Sequence, residues 1–396
     1  MRIYMDNAAT TKMSQSAIDG MMPYFASYFG NPSSLHTPGQ QAAEALADAR
    51  ARIAKVIGAQ PREVYFTSGG SEADNQAIIS AARFGEMKGK MHLISTQAEH
   101  HAVLHTLQAL ERDGFKVTLL PVDEDGLVSA EQVRMAIRPD TALVSVMYAN
   151  NEVGSVNPVA EIGKVCRELG VLFHTDAVQA AGHLPIHVKD MNIDLLSLSA
   201  HKFHGPKGIG VLYARVGVLL QNVIYGGGQE RGKRAGTENI PAIMGMAAAL
   251  EEAAANMNAN NEKMRKLRDR LVEGLGEIPH SLLNGSREKR LPNNVSFCFE
   301  GIEGESLLLL LDDKGICASS GSACTSGDLD PSHVLLALGR PHEIAHGSLR
   351  LSLSHENTEE EVEYVIEAVK EVVAYLRSIS PVWRDLMNGK SEFVIK

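Results

Sequence analysis

Cys324 lies in ASSGSACTSGD, Ala318 to Asp328, among small and flexible residues and with no second cysteine at the spacing of a CxxC pair. A cysteine that serves packing usually sits in an apolar run, because as a small hydrophobe it is among the residue types most often buried. Here Gly321 and Gly327 bracket Ser322, Ala323, Thr325 and Ser326, the composition of a surface loop. The placement favours a reactive thiol over a packed one. Cys166, Cys298 and Cys317 stand at irregular spacing elsewhere, which gives neither a disulfide framework nor a zinc motif. The run AEHHAVLH adds His100, His101 and His105, the last two one helical turn apart. No acidic or cysteine partner stands at ligand spacing beside them, so a metal site is not the favoured reading.

In LLSLSAHKFHGPKGIG an apolar strand runs to Ser199 and then releases Ala200, His201 and Lys202 before a Gly/Pro turn. A lysine at the end of such a strand is partly desolvated, which lowers its pKa and frees the amine to bond to a carbonyl cofactor. The alternative is an ordinary loop lysine, which fits Lys207, inside the turn, better. VLFHTDAVQAAG ends another strand at Asp176, with Gln179 soon after. A carboxylate there can pair with the ring nitrogen of pyridoxal phosphate and keep it protonated, or it can cap a helix; spacing alone does not separate the two. YFTSGGSEADNQAII supplies a strand, two glycines, a serine and a helix that begins with acidic residues. Free amides and the helix dipole at Gly70 and Ser71 suit a phosphate. The segment is not a Walker loop, which ends in Gly-Lys-Ser/Thr.

The elements that must position these residues alternate. EVYFTS, MHLIST, KVTLLPV, TALVSVMY, VLFHTDA, DLLSLSA and GVLYAR read as strands, with helical periodicity between most of them. That alternation predicts an α/β fold with a mostly parallel sheet covered by helices on both faces, and ligands bound beyond the carboxyl ends of the strands. After a long alanine-rich helical region the pattern becomes α+β. The boundary is set near residue 256, giving a large domain over 16–256 and a smaller one from 1–15 and 257–396 that carries the cysteine loop.

Composition bounds the partners. A net charge of -10 and a pI near 5.9 argue against nucleic acid as a main partner. The opening MRIYMDNAATTK lacks the apolar core of a signal peptide, and no apolar run is long enough to span a bilayer. The expectation is a cytoplasmic protein with no membrane partner.

YMDNAATT, FGNPSSLH, FTSGGSEADN, EHHAV, ANNEVG, HTDAVQAAG, SAHKFHGPKGIG, GGGQERGKRAGTEN, SSGSACTSG and HGSLRLSLS occur in that order. Together they resemble the cysteine desulfurases of the NifS/IscS family, fold type I pyridoxal-phosphate enzymes related to class V aminotransferases, and QERGKRAGTEN is more similar to the NifS branch. The resemblance implies that Lys202 is the lysine bonded to pyridoxal phosphate, Asp176 the partner of its ring nitrogen and His100 the imidazole stacked on the ring. It implies phosphate contacts from Gly70, Ser71, Ser199 and His201, with Thr237 contributed by the other subunit of a homodimer. Asn151 and Gln179 match residues that face the phenolic oxygen and the substrate, and Arg350 the clamp on the carboxylate of L-cysteine. Cys324 matches the sulfur acceptor, which the family also implies as a transient ligand to cluster iron. Sulfur would pass to an iron-sulfur scaffold or another acceptor protein. Ser354 and His355 depart from the family pattern, and the tail NGKSEFVIK has no family counterpart. Two other classes share features: an aminotransferase or selenocysteine lyase would share Lys202 and Asp176, and a non-enzymatic iron-sulfur scaffold would share only the loop thiol.

Overall fold

The computed structural model describes residues 2–320 and 331–395. The chain opens with a two-residue strand, β1 (Ile3–Tyr4). The apolar, β-branched runs of the first two thirds then form β2 (Val64–Thr67), β3 (His92–Thr96), β4 (Lys116–Leu120), β5 (Thr141–Ser145), β6 (Leu172–Asp176), β7 (Leu195–Ser199) and β8 (Gly210–Ala214). They make a seven-stranded sheet in the order β2-β8-β7-β6-β5-β3-β4. Strands β3 to β7 pair in parallel, and β8 runs antiparallel to both β7 and β2. The sheet is thus mixed but mostly parallel, as the alternation of elements predicts.

Period-two geometry sends neighbouring side chains to opposite faces, and both faces are buried. Ile94, Val144 and Leu196 pack into a core with the helices Thr37–Ile57 and Val159–Leu169. Their neighbours Leu93, Leu143 and Leu195 pack on the opposite face of the sheet with Gly70–Glu86 and His101–Arg112. The strands therefore read as nearly continuous apolar runs. Two antiparallel reversals leave β2 pointing the same way as β7, so the carboxyl ends of β2, β3, β5, β6 and β7 share one edge of the sheet.

A second core lies under an antiparallel sheet of β9 (Ser281–Leu283), β10 (Asn294–Phe299) and β12 (Ser348–Ser352), in the order β12-β10-β9. The helices Gly304–Asp313 and Glu359–Ile379 pack there, and β11 (Ile316–Cys317) pairs in parallel with β1. The helix Ile240–Gly276 runs unbroken through residue 256. Its first part packs against the large sheet through Ile243 and Ala247, its last part into the second core through Leu267 and Leu271. The change of composition thus falls inside one helix and not at a linker. The tail is tied down: Val394 N and Ile395 N donate to Glu300 at 2.8 and 3.0 Å, and Phe393 stacks on His280.

Candidate active site

A cavity of about 300 Å³ opens at the carboxyl edge of the large sheet. It is bounded by Gly70 and Ser71, Asp74, His100, Met147, Asn151, Asp176, Val178, Gln179, Ser199, His201, Lys202, Arg350, Ala8 and Ala9. Nearly all the candidates from the sequence converge here. Thr237 does not line the cavity and is exposed. Cys324 lies outside the described residues. Lys207 is exposed in its turn, away from the cavity.

One end of the cavity is built for an anion. Gly70 begins the helix Gly70–Glu86 directly after β2, so its first amides lack helical acceptors. A Cβ at Gly70 would stand 2.7 Å from Val178 Cγ2 and 3.6 Å from Ser199 Cβ, so a side chain there would fill the cradle. The turn is held from behind. Glu230 accepts from Phe66 N at 2.8 Å and pairs with buried Arg50 at 2.6 Å, while Arg234 reaches Glu72 at 3.0 Å. Glu230 and Arg231 adopt φ of 47° and 57°, a left-handed conformation costly for non-glycine residues, and these contacts keep them there.

The middle holds the titrating groups. Asp176 ends β6, is 5% exposed, and accepts from Val178 N at 2.9 Å. One oxygen thus caps a local turn, with no helix following, and the residue also lines the cavity. Burial raises its pKa to about 6, against the opposing pull of the Val178 amide and the Lys202 charge. Lys202 Nζ donates to Ala8 O at 2.6 Å and Ala9 O at 2.8 Å. His100 caps the helix His101–Arg112, its Nδ1 accepting from Ala102 N at 3.1 Å, so the neutral ring carries its hydrogen on Nε2. Burial, and then the Lys202 charge, lower its pKa to about 4, which keeps it neutral at neutral pH. His201 is lowered to about 4 by the same two causes and contacts Thr10 Oγ1 at 3.2 Å. Gln179 Nε2 donates to Ala8 O at 3.0 Å.

The far end is cationic. Arg350 on β12 donates from Nη1 to Asn151 O at 3.1 Å and from Nη2 to Asp6 Oδ1 at 2.9 Å. Its Nε is buried with no partner among the described residues. Ser319 pairs with the backbone of Arg350, Ser319 N donating to Arg350 O and Arg350 N to Ser319 O.

The residues fit pyridoxal phosphate by the chemistry of the donor set. An amide cradle for phosphate, a buried carboxylate for a protonated ring nitrogen and a lysine for an aldehyde share one cavity. Sequence reasoning missed Asp6, Asp74, Met147, Val178 and the carbonyls of Ala8 and Ala9. YMDNAATT carried the N-terminal part of that wall, but only its path between the two sheets reveals what it touches. Among the described residues no group of three or more His, Cys, Asp or Glu could hold a metal. His101 instead stacks its ring against His105 and His333. Cys166 and Cys298 are fully buried, and burial pushes their thiols up to about 12 and about 11.

The class-V aminotransferase family matches residues 3–365. The cysteine desulfurase IscS of Clostridium botulinum is 55% identical over 394 residues, 99% of each chain. That of Methanosarcina thermophila is 55% identical over 379 residues, covering 96% of this chain and 94% of the relative. This chain belongs to the cysteine desulfurases of the class-V aminotransferase family. It is therefore a pyridoxal-phosphate enzyme, and the scaffold-only alternative falls away. Among solved structures, a NifS-like protein superposes with a TM-score of 0.89 at 40% identity, covering 95% of this chain and all of that one. A structure titled SspA in complex with cysteine superposes at 0.80 with 38% identity, covering 90% of this chain and all of that one. No helix among the described residues is long and apolar enough to cross a membrane.

Proposed function

We propose that this chain converts L-cysteine to L-alanine and collects the sulfur on Cys324 as a persulfide. The observation that carries the assignment of roles is the meeting of Lys202, Asp176, His100 and Arg350 with the Gly70 cradle in one cavity. Pyridoxal phosphate, when bound, supplies an aldehyde for the amine of the amino acid and a ring that withdraws electrons from its Cα. Gly70, Ser71, Ser199 and His201 would hold its phosphate and Asp176 its ring nitrogen. His100 would cover the ring as a neutral imidazole and Gln179 would face its phenolic oxygen. Arg350, with Asn151 beside it, orients the carboxylate of L-cysteine, and the Lys202 amine takes the proton from Cα.

Cys324 as thiolate attacks the sulfur of the substrate. The new sulfur-sulfur bond forms as the carbon-sulfur bond breaks and the electron pair stays on Cβ, which takes up a proton; Lys202 returns its proton to Cα, and alanine leaves. Cys324 is the fourth residue after Ser320, whose neighbour Ser319 pairs with the Arg350 backbone, a reach of up to roughly 14 Å along the chain. The bound cysteine named for one structural relative agrees with this substrate. The persulfide then serves an iron-sulfur scaffold or another acceptor in the cytoplasm.

We place the cofactor on a domain of residues 16–256 and the thiol on one of 1–15 and 257–396. We further propose a homodimer, in which Thr237 completes the phosphate site of the partner. The exposure of Thr237, and of Phe29 at 72% and Leu35 at 92%, supports it. Borohydride reduction of the holoenzyme followed by peptide mapping tests the centre of the assignment. The label is expected on Lys202; a label on Lys207 would overturn it. Alanine, and no pyruvate, is the expected carbon product from L-cysteine, with sulfide released once an added thiol reductant cleaves the persulfide.

A further inference from the structure

Asp6 enters none of the roles above, yet it contacts the residue that recognises the substrate. Arg350 is 2% exposed and Asp6 Oδ1 takes one hydrogen of its Nη2. The bond is single. Nε, on the same edge of the guanidinium as Nη2, has no partner among the described residues. A carboxylate that closed this edge in the usual two-bond fork would engage both nitrogens, so Asp6 occupies one corner of the fork and leaves the other open. Nor is Asp6 on a loose loop. Its backbone bridges Ser352 on the strand that carries Arg350, Asn7 Nδ2 donates to Ser352 O at 2.9 Å, and Tyr4 Oη donates to Asp6 O at 3.2 Å.

We infer that Asp6 is a fixed counter-charge that lowers the affinity of Arg350 for the carboxylate of the amino acid while keeping the guanidinium aimed into the cavity. A buried guanidinium without a carboxylate would hold an incoming anion strongly. With Asp6 in place, substrate and product approach a cation already half neutralised, and their carboxylate lies close to a like charge. L-Alanine keeps the carboxylate of L-cysteine, so the same counter-charge that weakens substrate binding lets product leave. The inference rests on reading Arg350 as the carboxylate clamp.

The test is calorimetric binding of L-alanine to the holoenzyme at low salt, which needs no turnover. Asp6→Asn keeps an acceptor for Nη2 and removes only the charge. It is expected to bind L-alanine roughly fivefold more tightly, the size of one carboxylate's repulsion at a partly exposed site. L-Alaninamide, which lacks the carboxylate, is expected to bind both proteins equally. Asp6→Glu retains the charge and should show no tightening. Should Asp6→Asn not fold, Asp6→Ser carries the same expectation. Arg350→Gln is expected to weaken L-alanine at least about tenfold. Unchanged or weaker alanine binding in Asp6→Asn, with Arg350→Gln still weakened, overturns the role of Asp6 and spares the clamp. Equal tightening of alanine and alaninamide also overturns it, since charge would not be the cause. Wild-type binding in Arg350→Gln overturns the clamp and the inference together.

Discussion

Lys202 and Asp176 reach one cavity from neighbouring strands, and a third buried group behind them is measurable on its own. Glu99, next to His100, is fully buried; one oxygen accepts from Thr96 Oγ1 and Met147 N, both at 2.9 Å, and the other has no partner among the described residues. Burial raises its pKa from the ordinary 4.5 to about 8. A carboxyl whose folded pKa is raised binds its proton more tightly when folded, so its contribution is fully present below about 4.5 and lost as pH rises through about 8. Glutamine mimics the protonated form. Glu99→Gln is therefore expected to match the wild type near pH 5 and to exceed it at pH 9 by on the order of 1–3 kcal/mol. Denaturant unfolding across that range checks it, and parallel stability curves would refute it. Among individual residues, those at strand ends were legible, because an apolar run followed by His201 and Lys202, or stopping at Asp176, marks an edge. Asp6 and Asp74 were not. Asp74 lies inside a helix pattern and Asp6 in a segment with no periodicity, so only tertiary placement shows that Asp74 lines the cavity and that Asp6 pairs with Arg350.

At the scale of elements, the start of the helix Gly70–Glu86 makes the phosphate end, and its geometry depends on a missing side chain. Gly70→Ala would place a methyl 2.7 Å from Val178 Cγ2. Val178 can yield by a small shift, so the fold is expected to lose only about 1 kcal/mol. Pyridoxal phosphate affinity, titrated by absorbance into the cofactor-free protein, should fall at least roughly tenfold, because methyl and displaced valine both enter the cradle. Unchanged affinity would move the phosphate elsewhere. The inner strands of the sheet were readable because they are buried on both faces and largely apolar, while the edge strand β4, partly exposed, was readable from its β-branched and leucine residues. The change near residue 256 was legible as composition but not as a break in structure: along the helix Ile240–Gly276 alanine-rich packing on the large sheet gives way to a charged, leucine-bearing face with the helical backbone continuous.

For the whole molecule, two cores share that helix and the N-terminal segment, so the cavity between the sheets is bounded by chain from both ends of the sequence. Sedimentation of the holoenzyme is expected to give a dimer. Phe29→Glu, which puts a charge on an exposed apolar residue, should shift it toward monomer and weaken cofactor binding, because Thr237 would then be lost to the partner's site. A monomeric holoenzyme with full cofactor affinity would remove that role from Thr237. The central claim concerns sulfur. Cys166 and Cys298 are sealed in the core, and Cys317 pairs in β11 with Tyr4 of β1, which leaves Cys324 as the thiol assigned to accept sulfur. The most direct measurement is to treat the holoenzyme with L-cysteine, alkylate, digest, and locate the added sulfur atom by mass spectrometry, with Cys324→Ala run in parallel. The account predicts the extra sulfur on Cys324, and in the variant L-cysteine binding with alanine release reduced by at least about a hundredfold. Sulfur on Cys317, or full turnover in Cys324→Ala, would contradict it.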